Sequence, residues 1–70
     1  MDDRTEALIM NTALPYALEG KPKNSAYRAC MKATGYNKLE ESVDLKIHID
    51  NLELCVDKVY TQVKASRVHN

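Results

Sequence analysis

Apolar positions in the C-terminal half of the chain follow two patterns at once. Between Val43 and Val56 they alternate, as in a strand, but they also recur at the four-and-three spacing of a helix. The helical spacing continues through Val59, Tyr60 and Val63, where the alternation has ended. No glycine or proline interrupts this half of the chain. The pattern therefore predicts one long helix over about 37–66.

A β-hairpin over about 43–57 is the alternative interpretation, and it makes the fold α+β. A turn at Asp50 and Asn51 places six apolar residues on one side of two paired strands. That turn lacks the glycine that two-residue hairpins favour, and the pairing puts Asp44 opposite Asp57. Like charges in direct cross-strand contact are unfavourable, so the helix is the preferred prediction.

A first helix is predicted over about 3–18. Its apolar stripe consists of Ala7, Met10, Leu14, Ala17 and Leu18. Asp2 or Asp3 is suited to cap its start, and Gly20 is suited to its end. Pro15 cannot donate a backbone hydrogen bond, so we expect a kinked helix or two short helices that meet near Leu14.

A second, shorter helix is predicted over about 24–34, after a loop that contains Gly20 and Pro22. Asn24 or Ser25 is the expected cap, and Gly35 is the expected end. Small residues make up its predicted inner face: Ala26, Ala29, Cys30 and Ala33. The long helix is expected to begin next, with Asn37 and Glu40 in a pattern that resembles a capping box.

As a helix, the long element has apolar residues on two opposite faces, and each face needs a cover. One face forms a heptad-like seam, which we predict to be a self-association interface: Leu45, Ile49, Leu52, Val56, Val59 and Val63. The other face is predicted to form the intrachain core with residues of the N-terminal helices. This predicted core consists of Leu14, Leu18, Cys30, Leu39, Val43, Ile47 and Leu54.

Size also favours self-association. The chain has 70 residues with neither Trp nor Phe, and a core of that size typically supplies only ~3–5 kcal/mol. A helix over 37–66 is ~45 Å long, whereas a compact globule of this chain length is ~28 Å across. The sequence thus predicts a single all-α domain over 1–70, with short N-terminal helices packed on a long C-terminal helix that forms a homodimer or higher oligomer.

Charge is balanced overall, with ten basic and ten acidic residues, but it is unevenly placed. No acid occurs between Glu19 and Glu40, and this basic segment also contains two tyrosines. Its candidate partner-binding or anion-binding residues are Lys21, Lys23, Tyr27, Arg28, Lys32, Tyr36 and Lys38. The segment either complements the acidic long helix of its own chain or binds a partner.

Nucleic acid is an alternative partner, because a short helix, a turn and a second helix resemble the outline of a helix-turn-helix regulator. In that motif the start of the second helix approaches DNA, yet here Glu40, Glu41 and Asp44 occupy that region. Phosphates would repel these carboxylates. A third alternative is a small nucleotide-like anion held between basic side chains and tyrosine rings.

Catalysis and metal binding have little support in the sequence. His48 and His69 have no nucleophile at helical spacing, and with Cys30 and Cys55 they show no short ligand spacing of a zinc site. We therefore predict no enzyme activity, no cofactor and no metal. The cysteine pair is expected to be reduced and packed, and the acidic start of the chain is unlike a secretory signal.

The sequence predicts a cytoplasmic protein without a membrane segment that acts through protein–protein interaction. Its expected partners are a second copy of itself and a target protein, to whose acidic surface the basic segment steers it. Small neutral helical chains of this kind serve as inhibitors, adaptors or accessory regulators, including those of phages and mobile elements.

Overall fold

A computed structural model describes residues 2–67, and 85% of this part of the chain is helical, with no strand in it. Helix α1 spans Asp3–Leu18, α2 spans Lys23–Thr34 and α3 spans Val43–Arg67. A single 3-10 turn, Tyr36–Lys38, lies between α2 and α3. The all-α prediction is confirmed, and the hairpin alternative is wrong because α3 runs unbroken through the ambiguous stretch.

Helix α1 starts where its charge pattern predicts and continues past its proline. The Asp2 carboxylate accepts a hydrogen bond from the Thr5 backbone N–H at 2.7 Å, which caps the first turn. Pro15 lies inside the helix but within its last turn, so the missing N–H removes one hydrogen bond near the end. A division into two short helices near Leu14 does not occur.

Helix α2 begins one residue earlier than predicted and without a side-chain cap. Its N-cap is Pro22, with φ −59° and ψ 146°, and neither Asn24 nor Ser25 has the predicted capping role. Proline takes this position readily because its ring already holds φ near the required value. Gly35 ends the helix at φ +80°, as predicted, in the left-handed conformation that glycine adopts without steric cost.

Helix α3 begins six residues later than predicted, since position 37 falls in the 3-10 turn. The chain then extends at Leu39, with φ −84° and ψ 148°, which stops any helix that starts at Asn37. Ser42 is the actual cap, because its hydroxyl accepts from the Leu45 N–H at 3.1 Å. The predicted capping box of Asn37 and Glu40 is therefore wrong.

The core lies where the three helices pack against one another, and small residues allow their close approach. Ala13 and Ala26 are fully buried, as is Cys30, whose Sγ lies 3.4 Å from the Ile9 carbonyl oxygen. The core cluster comprises Ile9, Ala13, Ala17, Ala26, Cys30, Leu52, Cys55, Val56 and Val59. Of the predicted intrachain core, Cys30 is confirmed.

The two apolar faces of α3 have the reverse of their predicted roles. Leu52 and Val56 are completely buried against α1 and α2, and Leu45 and Val59 are buried as well. Val63 packs against the same core and Ile49 is half-buried. Because its own chain covers this seam, the predicted self-association interface of Leu45, Ile49, Leu52, Val56, Val59 and Val63 is wrong.

The face of α3 predicted to be core is exposed to solvent. Val43 is 78% exposed, Leu54 59% and Ile47 52%, and Leu39 before the helix is also exposed. These side chains point away from the N-terminal helices because the buried seam lies about 180° around α3. The structure leaves this outer face without a cover in the described part of the chain.

Helix α1 is rotated relative to its predicted stripe. Ile9, Ala13 and Ala17 face the core, whereas Leu14 and Leu18 are largely exposed. The two alanines allow a closer approach to the neighbouring helices than leucines at the contact would permit. Leu14 and Leu18 lie beside this contact and were wrongly predicted to be in the intrachain core.

The reversal of the faces can be tested with two identical truncations on α3. We expect Leu52→Ala to lower the free energy of unfolding by about 2–4 kcal/mol, because it opens a cavity in the core. Leu54→Ala removes the same atoms from an exposed side chain and should cost under about 0.5 kcal/mol. Urea unfolding followed by circular dichroism, at low protein concentration, measures both; equal losses would contradict this arrangement.

Candidate functional site

A tight turn after α1 sets the position of the first functional side chains. The Gly20 N–H donates to the Ala17 carbonyl at 3.1 Å, and the Lys21 N–H donates to the Tyr16 carbonyl at 2.9 Å. This pair of bonds is a Schellman motif, and it requires the left-handed φ of +73° that Gly20 adopts. The chain thereby passes from α1 to α2 through four residues, 19–22, and Lys21 lies in this connection.

Tyr60 of α3 attaches this turn to the far end of the long helix. Its hydroxyl donates to the Lys21 carbonyl at 2.7 Å and lies 3.2 Å from the Pro22 carbonyl oxygen. Burial raises the pKa of Tyr60, with a smaller contribution from nearby Cys30 and Tyr16, so the hydroxyl keeps its proton. The α1–α2 turn and the C-terminal part of α3 consequently form one end of the molecule.

A basic pocket opens at this end, with a volume of about 490 Å³. Four cationic side chains line it, two from the turn region and two from the last turns of α3: Lys21, Lys23, Lys64 and Arg67. The remaining lining residues are Ala17, Gly20, Tyr60, Thr61 and Val63. No lining residue is acidic, so the pocket has a net positive field suited to an anionic group.

An apolar groove of about 370 Å³ lies beside the basic pocket, between α1 and α3. Its apolar lining consists of Met10, Leu14, Leu18, Val59 and Val63. Asn11, Gln62 and Ser66 complete the rim. Val63 and Arg67 border both the groove and the basic pocket, so the two concavities meet at the last turns of α3.

Two cations of the basic pocket, Lys21 and Lys23, are held loosely enough to bind an external group. The Lys21 ammonium lies 5.5 Å from the centre of the Tyr16 ring and 4.0 Å from the Glu19 carboxylate. Lys23 pairs with Asp57 at 3.5 Å, and both side chains are about half exposed. Exposed ion pairs of this kind contribute little and exchange readily with competing anions.

Arg67 is held in place by the end of α1. Its guanidinium donates to the carbonyl oxygen of Leu18, one of the acceptors that the last turn of a helix leaves without an internal partner. Helix α1 has no basic residue in its own last turn, so α3 supplies the cation that its C-terminal dipole favours. The contact also keeps Arg67 at the boundary between groove and pocket.

Part of the predicted basic segment is directed toward its own chain. The Tyr27 hydroxyl donates to Asp57 Oδ1 at 2.7 Å, and Lys23 contacts the same carboxylate oxygen. The bond to Asp57 is the main reason that the pKa of Tyr27 rises to about 12. For Lys23 and Tyr27, the structure therefore supports the interpretation that the segment complements the acidic long helix.

The other predicted site residues do not converge with the pocket. Arg28, Lys32 and Lys38 are exposed, and they are not among its lining residues. Tyr36 stacks on His48 of α3, with ring centres 5.1 Å apart and planes 20° from parallel. The predicted set of seven thus divides, and Lys21 and Lys23 alone contribute to the basic pocket.

The helix-turn-helix outline is not reproduced. The connection from α2 to α3 runs over residues 35–42 and includes a 3-10 turn, whereas that motif joins its helices through a turn of about 3–4 residues. The first turns of α3 are also acidic, as the sequence indicates, with Asp44 in the first turn. The geometry therefore does not present α3 as a recognition helix.

Lys64 and Arg67 are functional candidates that the sequence reasoning missed. Both lie in the last turns of α3, where basic residues are expected simply because they complement the helix dipole. They lie some forty positions after Lys21 and Lys23 in the chain. The turn at Gly20 and the Tyr60 contact bring the two pairs of cations to the same pocket. The signal in the sequence was an apolar pair, Val59 and Val63, followed by two cations at helical spacing.

The histidines and cysteines are the remaining candidates for chemistry. Within residues 2–67 no three His, Cys, Asp or Glu side chains are grouped as metal ligands, and His69 lies outside the described residues. Burial raises the pKa of the Cys30 thiol to about 11, so it is a poor nucleophile near neutral pH. Among the described helices, none combines the length and apolar character needed to cross a bilayer.

Comparison with known proteins yields no match to a family model, to a curated protein or to a solved structure.

Alkaline pH should weaken the fold in a defined window. The folded-state pKa values of Cys30 and Tyr27 are about 11 and 12, above their ordinary values of 9.0 and 10.0. The folded state then binds these protons more tightly than the unfolded state, so their stabilisation is complete below pH 9 and is lost from there to pH 12. Urea unfolding at a series of pH values measures this decline.

Tyr27→Phe is the matched variant for that measurement. It should cost about 1 kcal/mol at neutral pH through the lost hydrogen bond, and it should flatten the decline above pH 10, the ordinary value for tyrosine. An identical pH dependence in the two proteins would show that the contact between Tyr27 and Asp57 does not govern the alkaline limb.

Proposed function

We propose that the protein is a non-enzymatic binding protein that captures an acidic, amphipathic segment of a partner protein. The contiguous apolar groove and basic pocket carry this proposal, because together they match one ligand with an apolar side and an acidic edge. In this role it acts as an inhibitor, adaptor or accessory regulator. A cytoplasmic location belongs to the proposal, since the buried Cys30 thiol suits a reducing compartment.

The groove is of a size to receive large apolar side chains. Its α1 wall extends from Met10 to Leu18, which is about 12 Å, or two helical turns. Leu14 and Leu18 are each substantially exposed, and a bound segment would remove them from water. An amphipathic helix with apolar residues three and four positions apart fits a groove of this length.

The basic pocket provides orientation and selectivity. A segment whose apolar residues fill the groove places its adjoining edge against Lys64 and Arg67, where carboxylates are favoured and lysines are repelled. The four cations of the pocket outnumber the Glu19 and Asp57 carboxylates that contact two of them, so long-range attraction also accelerates encounter with an acidic partner. Binding should therefore weaken as salt concentration rises.

A protein segment fits this end of the molecule better than nucleic acid does. A phosphate backbone makes no favourable contact with a groove lined by leucine, methionine and valine side chains. The exposed Arg28 and Lys32, which a nucleic-acid surface would have to include, are not lining residues of the pocket. A free nucleotide would likewise leave the groove unfilled.

The test is a titration of isotope-labelled protein with a synthetic helix-forming peptide, followed by NMR. The probe carries Leu at positions i, i+3, i+4 and i+7 and Glu along one flank. We expect shift changes concentrated at Met10, Leu14, Leu18 and Lys64, and we expect Lys64→Glu to weaken binding about tenfold through charge reversal. Lys38→Glu is the control, because Lys38 is exposed and lies outside the pocket.

Three further probes distinguish the alternatives. A peptide with Lys in place of Glu and a peptide with Ser in place of Leu should each bind weakly or not at all. A DNA duplex of mixed sequence should not cause the same shift changes. Tighter binding of the duplex than of the acidic peptide, or equal binding of the acidic and basic peptides, would refute the proposed function.

A further inference from the structure

The outer face of α3 carries a second apolar surface, remote from the groove. Val43, Ile47 and Leu54 lie within about 40° of one another around the helix and are all more than half exposed. We call these three residues the outer stripe. Together they expose on the order of 300 Å² of apolar surface, which is the size of the largest apolar patch on a typical monomer, and such patches are often functional.

We propose that the outer stripe pairs with the outer stripe of a second copy of this chain, with the two α3 helices antiparallel. This pairing does not depend on the proposed peptide binding. A two-fold dimer requires a surface that complements itself, and the outer stripe meets this requirement in both shape and charge. In the register that buries it fully, Val43 of one copy faces Leu54 of the second copy, and the reverse contact forms symmetrically.

Charge fixes this register. Asp50 lies between Ile47 and Leu54 along the same face, one helical turn after Lys46, and a parallel pairing would place its carboxylate against the opposite flank of the second copy. In the antiparallel register Lys46 lies on the same flank of the helix and faces Asp50 of the second copy, because residues whose numbers sum to about 97 are opposite each other. Symmetry makes this ion pair occur twice.

The size of the contact predicts a weak, reversible dimer. The helices overlap over residues 43–54, about 18 Å, and the two outer stripes together bury on the order of 600 Å² of apolar surface, which is below the range of stable specific interfaces. Association should therefore depend on concentration in the micromolar range or above. A dimer of this form places its two Lys64 side chains roughly 45 Å apart along the shared axis, with both basic pockets at its ends.

Sedimentation equilibrium over a wide range of protein concentration tests the pairing. We expect Ile47→Lys to raise the dimer dissociation constant about tenfold or more, because it places a charge in the middle of the apolar contact. Ala65→Lys is the matched control. Ala65 is exposed on the same face of α3, outside the groove and the basic pocket, but lies beyond the overlap, so this change should leave the constant unaltered.

A charge exchange tests the register. Lys46→Asp and Asp50→Lys should each weaken the dimer about threefold to tenfold, since each places like charges together twice. The double variant Lys46→Asp/Asp50→Lys should restore the original constant. Lys46→Asp lowers the net charge of the chain and Asp50→Lys raises it. A general effect of net charge therefore cannot explain a weaker dimer in both single variants and a restored dimer in the double variant.

Circular dichroism of each variant confirms that α3 remains helical, as expected for changes at exposed positions. A protein that stays monomeric at millimolar concentration would overturn the proposal, and so would a dimer that Ile47→Lys leaves intact. Equal weakening by Ala65→Lys would place the interface elsewhere. A dimer without rescue in the double variant would reject the antiparallel register.

Discussion

The structure depends on one constraint: α3 carries apolar residues on opposite faces, and the rest of the chain can cover one of them. Helices α1 and α2 supply small side chains, so the face of α3 that they cover must fill the space with branched residues. Leu52 and Val56 do so and are completely buried. The groove and the outer stripe are apolar surfaces that this contact leaves uncovered.

The type and order of the helices follow from local features of the sequence, whereas the choice of face does not. The lack of glycine and proline after residue 36, together with the spacing through Val63, was enough to distinguish helix from hairpin. The seam from Leu45 to Val63 resembled a coiled-coil heptad, which suggested a second chain as its cover. The seam is instead covered by its own chain, because the small residues Ala13, Ala17 and Ala26 complement its large side chains across a close helix contact. That complementarity involves residues far apart in the chain.

The candidate site was half predicted for the same reason. Lys21 and Lys23 stand out as members of an acid-free segment, but Lys64 and Arg67 have an ordinary explanation in the helix dipole. Their convergence depends on the Schellman turn at Gly20 and on the Tyr60 hydroxyl bound to its carbonyl. Hydrogen bonds between distant elements leave no periodic trace in a sequence. The Tyr27 contact with Asp57 is likewise a product of tertiary structure.

The outer stripe is not needed to form the fold, which strengthens the inference that it has a partner. Its residues contribute nothing to the core, and the β-branched Val43 and Ile47 lower the intrinsic helical propensity of the first turns of α3. Polar residues at these positions would support the same helix and keep it more soluble. A face that costs helicity and exposes apolar surface, and that carries Lys46 and Asp50 one helical turn apart, has the features that the proposed contact with a second copy would use.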